Sequence, residues 1–192
     1  SPNDLKEMFF VDDAYEAEMG GFRGFFGLNY YRTYLGPKSP DDSYTRTVHV
    51  HEGEFDNLSA IAQQIRRGTD DFVALGLGGG SAQPLDRLVN YGVSRVRIVP
   101  DDDAGGIDFT KNCLERTRTK LISFQVFAWP DQYKTWTDPA NPSRRVKDAD
   151  EAIKTLGYPK WARVVNDPDA YASMHEWCFD RVVQDVRRSA VN

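Results

Sequence analysis

From position 46 onward, short apolar runs alternate with stretches whose apolar positions recur every three or four residues. Thr47 to Val50 reads as a short strand, and Asp56 to Arg67 has helical spacing at Leu58, Ile61, Ala62 and Ile65. Gly68 closes that helix as a C-terminal cap. Phe72 to Leu75 is a second apolar run, followed by Gly76-Leu77-Gly78-Gly79-Gly80-Ser81, which reads as a tight loop. Pro84 stands where a first helical turn tolerates it, and that helix runs to about Tyr91. Val96 to Val99 is a third strand, Gly106 to Thr117 a helix, and Leu121 to Ala128 a fourth strand. Such alternation with short connections predicts an α/β fold: a mostly parallel central sheet flanked by crossover helices.

The ends of the chain read differently. Residues 1–45 mix glycines, which break helices, with Tyr and Phe, which favour short strands, and are expected to form a small β-rich N-terminal lobe. Asp131 to Lys147 holds Pro139 and Pro142 and reads as a long loop; Asp148 to Leu156 is a short helix ended by Gly157, Tyr158 and Pro159. Asp169 to Ala190 has amphipathic spacing at Tyr171, Met174, Cys178, Val182 and Val186, a C-terminal helix. The expected organisation is thus 1–45, a central domain over 46–157, and a helical extension over 158–192.

Composition narrows the function. The 192 residues carry 24 Lys+Arg against 29 Asp+Glu, a formal charge of −5, which argues against retention on nucleic acid by bulk charge. No run approaches 18 apolar residues, and no basic segment leads an apolar one at the start, so neither a membrane span nor a secretion signal is expected. Cys113 and Cys178 are too few for a disulfide framework or a four-thiolate zinc site, which makes a reducing cytoplasm the expected compartment. Ser1 in place of Met is consistent with a piece of a longer polypeptide.

In an open parallel sheet, ligands sit beyond the carboxyl ends of the strands. Three acidic clusters fall at such places: Glu52-Gly53-Glu54-Phe55-Asp56, Asp101-Asp102-Asp103 before Gly105-Gly106, and Lys147-Asp148-Ala149-Asp150-Glu151. Carboxylates gathered without cations repel and raise one another's pKa. A hard divalent cation removes that conflict, and oxygen-only ligands select Mg²⁺ or Mn²⁺ over zinc. Arg144, Arg145 and Lys147 lead into the third cluster, where cations can hold a triphosphate or a template phosphate. Taken singly, Asp56 or Asp103 would more simply be a helix N-cap.

The constellation Glu52-Gly53, Asp101-x-Asp103 with Gly106, and the strand–helix order between them resembles a toprim domain, the metal-binding, Rossmann-like module of primases, topoisomerases and some nucleases. Glu52-Gly53-Glu54-Phe55-Asp56, the glycines after the second strand, and Lys147-Asp148-Ala149-Asp150-Glu151 are most similar to DnaG-type DNA primases and bacteriophage primase-helicases, over about residues 46 to 157. The resemblance implies a nucleotidyltransferase that makes RNA primers from ribonucleoside triphosphates on single-stranded DNA with Mg²⁺ or Mn²⁺, in a bacterial or phage-infected cell. Glu52, Asp101, Asp103 and Asp148 would hold metal, Asp56 would complete the acidic site, and Glu52 could instead serve as general acid or base. The chain departs from the primase pattern at Gly105, often Ala, and at Ile107, often basic; Lys111 supplies a cation one turn on. With no zinc-ribbon spacing and no G-x-x-x-x-G-K-[ST], template reading and helicase activity would fall to a zinc-binding domain and a replicative helicase elsewhere. A toprim nuclease and a non-catalytic nucleic-acid-binding module are the alternatives.

Other candidates are weaker. His49 and His51 share a strand face without a third ligand and read as packed or solvated side chains. His175 and Cys178 on the last helix read likewise. Arg23, Tyr30, Tyr31, Arg32 and Tyr34 mix cations with aromatics as single-strand binders do, but aromatics in a small β lobe are more often core; Arg32 and Lys38 are the expected exposed contacts.

Overall fold

The computed structural model describes residues 25–28, 30, 46–69, 72–77, 85–117, 121–130, 137–138 and 141–189, with backbone alone at 46, 137–138, 141–145 and 182–189. Most of the expected N-terminal lobe, including Arg23, Tyr31, Arg32, Tyr34 and Lys38, lies outside the described residues, as does the Gly78–Ser81 loop.

The chain is an α/β fold. Strands β1 (Arg46–His51), β2 (Val73–Gly76), β3 (Val93–Val99), β4 (Ser123–Phe127) and β7 (Tyr171–Ser173) form one sheet in the order β2-β1-β3-β4-β7. All neighbours pair in parallel except β7, which runs antiparallel to β4. Helix α1 (Glu54–Arg67) links β1 to β2, a 3₁₀ helix (Leu85–Tyr91) leads into β3, and α2 (Ala104–Arg116) joins β3 to β4. The chain steps from β1 outward to β2, then from β3 outward the other way to β4. The sheet therefore has its topological switch point between β1 and β3, the place where such sheets receive a ligand beyond the carboxyl ends of their strands.

Local sequence explains the elements. Glu54 and Asp56 in the first turn of α1 and Arg66 and Arg67 in its last complement the helix dipole, and Gly68 takes the left-handed cap conformation at φ +64°. The segment after Pro84 is the 3₁₀ helix, burying Leu85 and Leu88, and β3 begins at Val93, three residues before the expected start. Val48, Val50, Val96 and Ile98 are fully buried on the central strands, as parallel strands covered on both faces require. On the opposite face, β1, β3 and β4 align His49, Arg97 and Gln125 in one register row. Arg97 donates to Gln125 Oε1 at 3.3 Å and stacks 4.4 Å from the Tyr171 ring.

Several expectations need correction. The buried positions of α1 are Asp56, Asn57, Ala60, Ile61 and Gln64, whereas Ala62 is exposed and Ile65 is 61% exposed. Polar side chains take the inward face because backbone carbonyls need donors there: Asn57 Nδ2 donates to Phe26 O at 2.8 Å and Gln64 Nε2 to Phe72 O at 2.9 Å. The long loop before Lys147 contains a hairpin, β5 (Thr137–Asp138) paired antiparallel with β6 (Asn141–Arg145). A two-stranded sheet has only edge strands, where Pro142 is tolerated. After α3 (Ala149–Leu156), Tyr158 and Pro159 do not merely end a helix but open another, α4 (Tyr158–Asn166), with Pro in its first turn. Its buried Tyr158, Trp161 and Val165 pack under the sheet; Trp161 meets Phe127 edge-on with ring centroids 5.8 Å apart. Tyr171, expected on the last helix, belongs to β7, and α5 (Met174–Ser189) starts after it. Met174 and Cys178 of that helix are exposed.

Candidate metal centre at the sheet switch point

Glu52 directly follows β1, and Asp101 stands two residues beyond the end of β3, so the topology sets them on either side of the switch point. The Asp101 backbone N–H faces Glu52 and acts to lower its pKa, so the two loops lie side by side. Asp103 caps α2: its Oδ1 accepts the Gly106 N–H at 3.1 Å. Gly106 is required there, because a Cβ would lie 2.0 Å from the Asp101 carbonyl oxygen. A Cβ on Gly105 would sit 3.1 Å from Asp103 Oδ1 and 3.7 Å from Glu52 Oε1, so these two carboxylates face one narrow space.

The third cluster enters from α3. Asp148 caps this helix, accepting the Glu151 N–H at 2.7 Å, and Glu151 Oε2 reaches back to accept the Lys147 N–H at 3.1 Å. Asp56, from α1, accepts the Asp150 N–H at 2.9 Å, so two carboxylates satisfy the free donors of one helix N-terminus. Asp150 in turn bonds Ser59 and Lys154. The Asp102 N–H donates to the Lys147 carbonyl at 2.7 Å and fastens this segment to the β3 loop. Lys147 then places its ammonium 3.0 Å from Asp103 Oδ2 and 3.6 Å from Asp101 Oδ2.

The electrostatics follow from this crowding. Burial, then Glu52 and Asp148, push Asp101 up to about 7 against the pull of Lys147. Burial and then Asp148 push Asp56 up to about 7, although the Asp150 N–H opposes them. Glu52 is raised by burial and by Asp103, and Asp148 by burial and by its acidic neighbours. Burial also acts to raise Asp103, but Lys147 and the Gly106 and Gly105 N–H groups bring it below the ordinary range. The hydrogen bond to Asp103 raises Lys147 further. The last residue of β1 contrasts with this cluster: His51 is 1% exposed and lowered to about 4 by burial.

Of the residues proposed from sequence, the structure brings Glu52, Asp101, Asp103 and Lys147 together. Asp148 and Asp56 form an adjoining node at the α3 N-terminus. Lys111 is exposed and faces Asp108 at 3.9 Å instead. Arg144 and Arg145 lie on β6, and their side chains fall outside the described part. His49 and His51 are buried, His49 stacking on Phe72 at 5.1 Å, as expected of packed strand histidines. Glu151 was missed as a positioning residue; the pattern Asp148-x-x-Glu151, a capping box, was the available signal.

Among the described residues, no three carboxylate, imidazole or thiol groups stand drawn together as a finished ligand cage. The donor set nevertheless suits a hard divalent cation. Glu52 Oε2 is buried with no hydrogen-bond partner, and the carboxylates of Asp101 and Asp103 beside it offer further oxygen donors, with the Lys147 ammonium among them.

Residues 49–139 match the family model described as Toprim-like. Over those residues the chain is similar to Toprim-like domains, a module found in primases, nucleases and topoisomerases. Such domains bind divalent metal ions, typically Mg²⁺, through acidic residues. No curated protein matches the chain. No helix among the described residues is long and apolar enough to cross a membrane.

Proposed function

We propose that this domain transfers nucleotidyl groups as the RNA-polymerising part of a DNA primase, using a divalent cation held by Glu52, Asp101 and Asp103. The observation that carries this reading is the convergence of Glu52, Asp101, Asp103 and Lys147 at the switch point of a parallel sheet. The similarity of Glu52-Gly53-Glu54-Phe55-Asp56 and Lys147-Asp148-Ala149-Asp150-Glu151 to DnaG-type primases supports polymerisation over cleavage.

When bound, Mg²⁺ would neutralise charge on a triphosphate and hold it for in-line attack. The chain's own contribution is positioning. The Gly106 N–H orients Asp103, and the Asp101 N–H lies beside Glu52. With the cation held by Asp101 and Asp103 alone, Glu52, raised by burial, is instead suited to take up or give a proton at the attacking hydroxyl. The Asp102 and Glu151 contacts to the Lys147 backbone hold a cation beside the carboxylates, where a triphosphate would arrive. Single-stranded DNA and ribonucleoside triphosphates are the substrates in this reading, and a zinc-binding domain and a replicative helicase the partners that supply template recognition and unwinding.

Extension of an annealed RNA primer on single-stranded DNA, with labelled ribonucleotides and Mg²⁺ or Mn²⁺, tests the proposal. Asp101→Asn keeps the side chain's shape and removes charge from a repulsive cluster, so it should fold at least as well as the parent. Loss of an electrostatic element of this kind lowers incorporation by about 100-fold or more. Unchanged incorporation by the Asn variant contradicts the assignment. Mn²⁺-dependent cleavage of DNA without incorporation would identify a nuclease.

A further inference from the structure

We propose that Lys147 is a resident cation of the acidic crevice, which an incoming divalent ion displaces and which then turns outward to meet phosphate. This assignment rests on the metal-dependent function proposed above and adds to it an exchange of cations. The Lys147 ammonium bridges Asp101 and Asp103, 3.6 Å and 3.0 Å from their Oδ2 atoms, so it sits among the carboxylates that would ligate metal. Two cations cannot share that space without mutual repulsion. The backbone of Lys147 is clamped at both ends, by the Asp102 N–H and by Glu151 Oε2. Departure of the ammonium therefore means rotation of the flexible stem about a fixed base. Its side chain is 43% exposed, which leaves an open path to solvent. An ammonium pivoting on that base stays at the mouth of the crevice, where a metal-bound phosphate would lie.

Mn²⁺ titration of the full chain, following free Mn²⁺ by electron paramagnetic resonance at low ionic strength, reads the exchange directly. Lys147→Met keeps the stem and removes the competitor, so it is expected to bind Mn²⁺ about tenfold more tightly. Lys147→Arg, which keeps the charge, is expected to show no such gain. With Mn²⁺ present, the Met variant is expected to bind inorganic pyrophosphate more weakly than the parent. A second measurement needs no variant: reductive methylation read by mass spectrometry should modify Lys147 several-fold faster when Mg²⁺ is added, with Lys111 as the internal reference. Equal or weaker Mn²⁺ binding by Lys147→Met, or labelling of Lys147 indifferent to Mg²⁺, overturns the exchange while leaving the metal site intact. If the parent binds no Mn²⁺, or Asp101→Asn binds it equally well, the functional proposal fails and the exchange falls with it.

Discussion

Asp56 is 7% exposed, accepts the Asp150 N–H, and is pushed up to about 7 by burial and the nearby Asp148. Its folded pKa lies above its unfolded value of 3.8, so the native state favours the protonated form. Stability contributed by this group is present in acid and is lost as pH rises from about 4 through about 7. Asp56→Asn retains an oxygen to accept the Asp150 N–H but carries no charge. In metal-free buffer, the parent should lose about 2–3 kcal/mol more than the Asn variant between pH 5 and pH 8. Urea melts at the two pH values measure this, and parallel losses would contradict it. At this scale the acidic residues themselves were legible in the sequence, since each follows a strand or opens a helix. The capping role of Asp103 was legible too, but that of Asp148 was not, and Asp56 caps a helix 94 residues away rather than its own.

Among the elements, the β3–α2 connection governs the site most directly. Gly106→Ala would drive a Cβ to 2.0 Å from the Asp101 carbonyl oxygen, a backbone atom with little freedom to yield. The expected cost is about 2 kcal/mol or more in urea denaturation. Gly105→Ala meets only a side-chain oxygen, at 3.1 Å, and should cost less. Equal stability of Gly106→Ala and the parent would refute the close approach. Periodicity located α1, α2 and α3 because their caps are local signals. It missed α4 because Tyr158-Pro159 reads as a stop, although Pro is equally at home in a first helical turn. On α1 it found only part of the inward face: Ile61 is buried and Leu58 half-buried, but Ala62 and Ile65 are exposed. Asn57 and Gln64 face inward to satisfy carbonyls contributed by distant segments, which apolar spacing cannot register. Strand β7 is only three residues long and is fixed by pairing with β4, a partner remote in sequence.

For the whole molecule, the decisive fact is the order β2-β1-β3-β4-β7. Strand–helix alternation predicts a parallel sheet but not which strands are central. The site depends on that order, because Glu52 and Asp101 face one crevice only if β1 and β3 are neighbours. They are, in continuous register from Thr47↔Arg95 to His51↔Val99. Glu52, Asp103 and Asp148 all act on Asp101 at that switch point, a crowding of carboxylates that a divalent cation would relieve. Anomalous diffraction from a crystal soaked in Mn²⁺ tests this most directly. The expected result is a peak at the carboxyl ends of β1 and β3, bounded by Glu52, Asp101 and Asp103. A crevice without a peak, or an ion held only by residues away from those two strands, would contradict it.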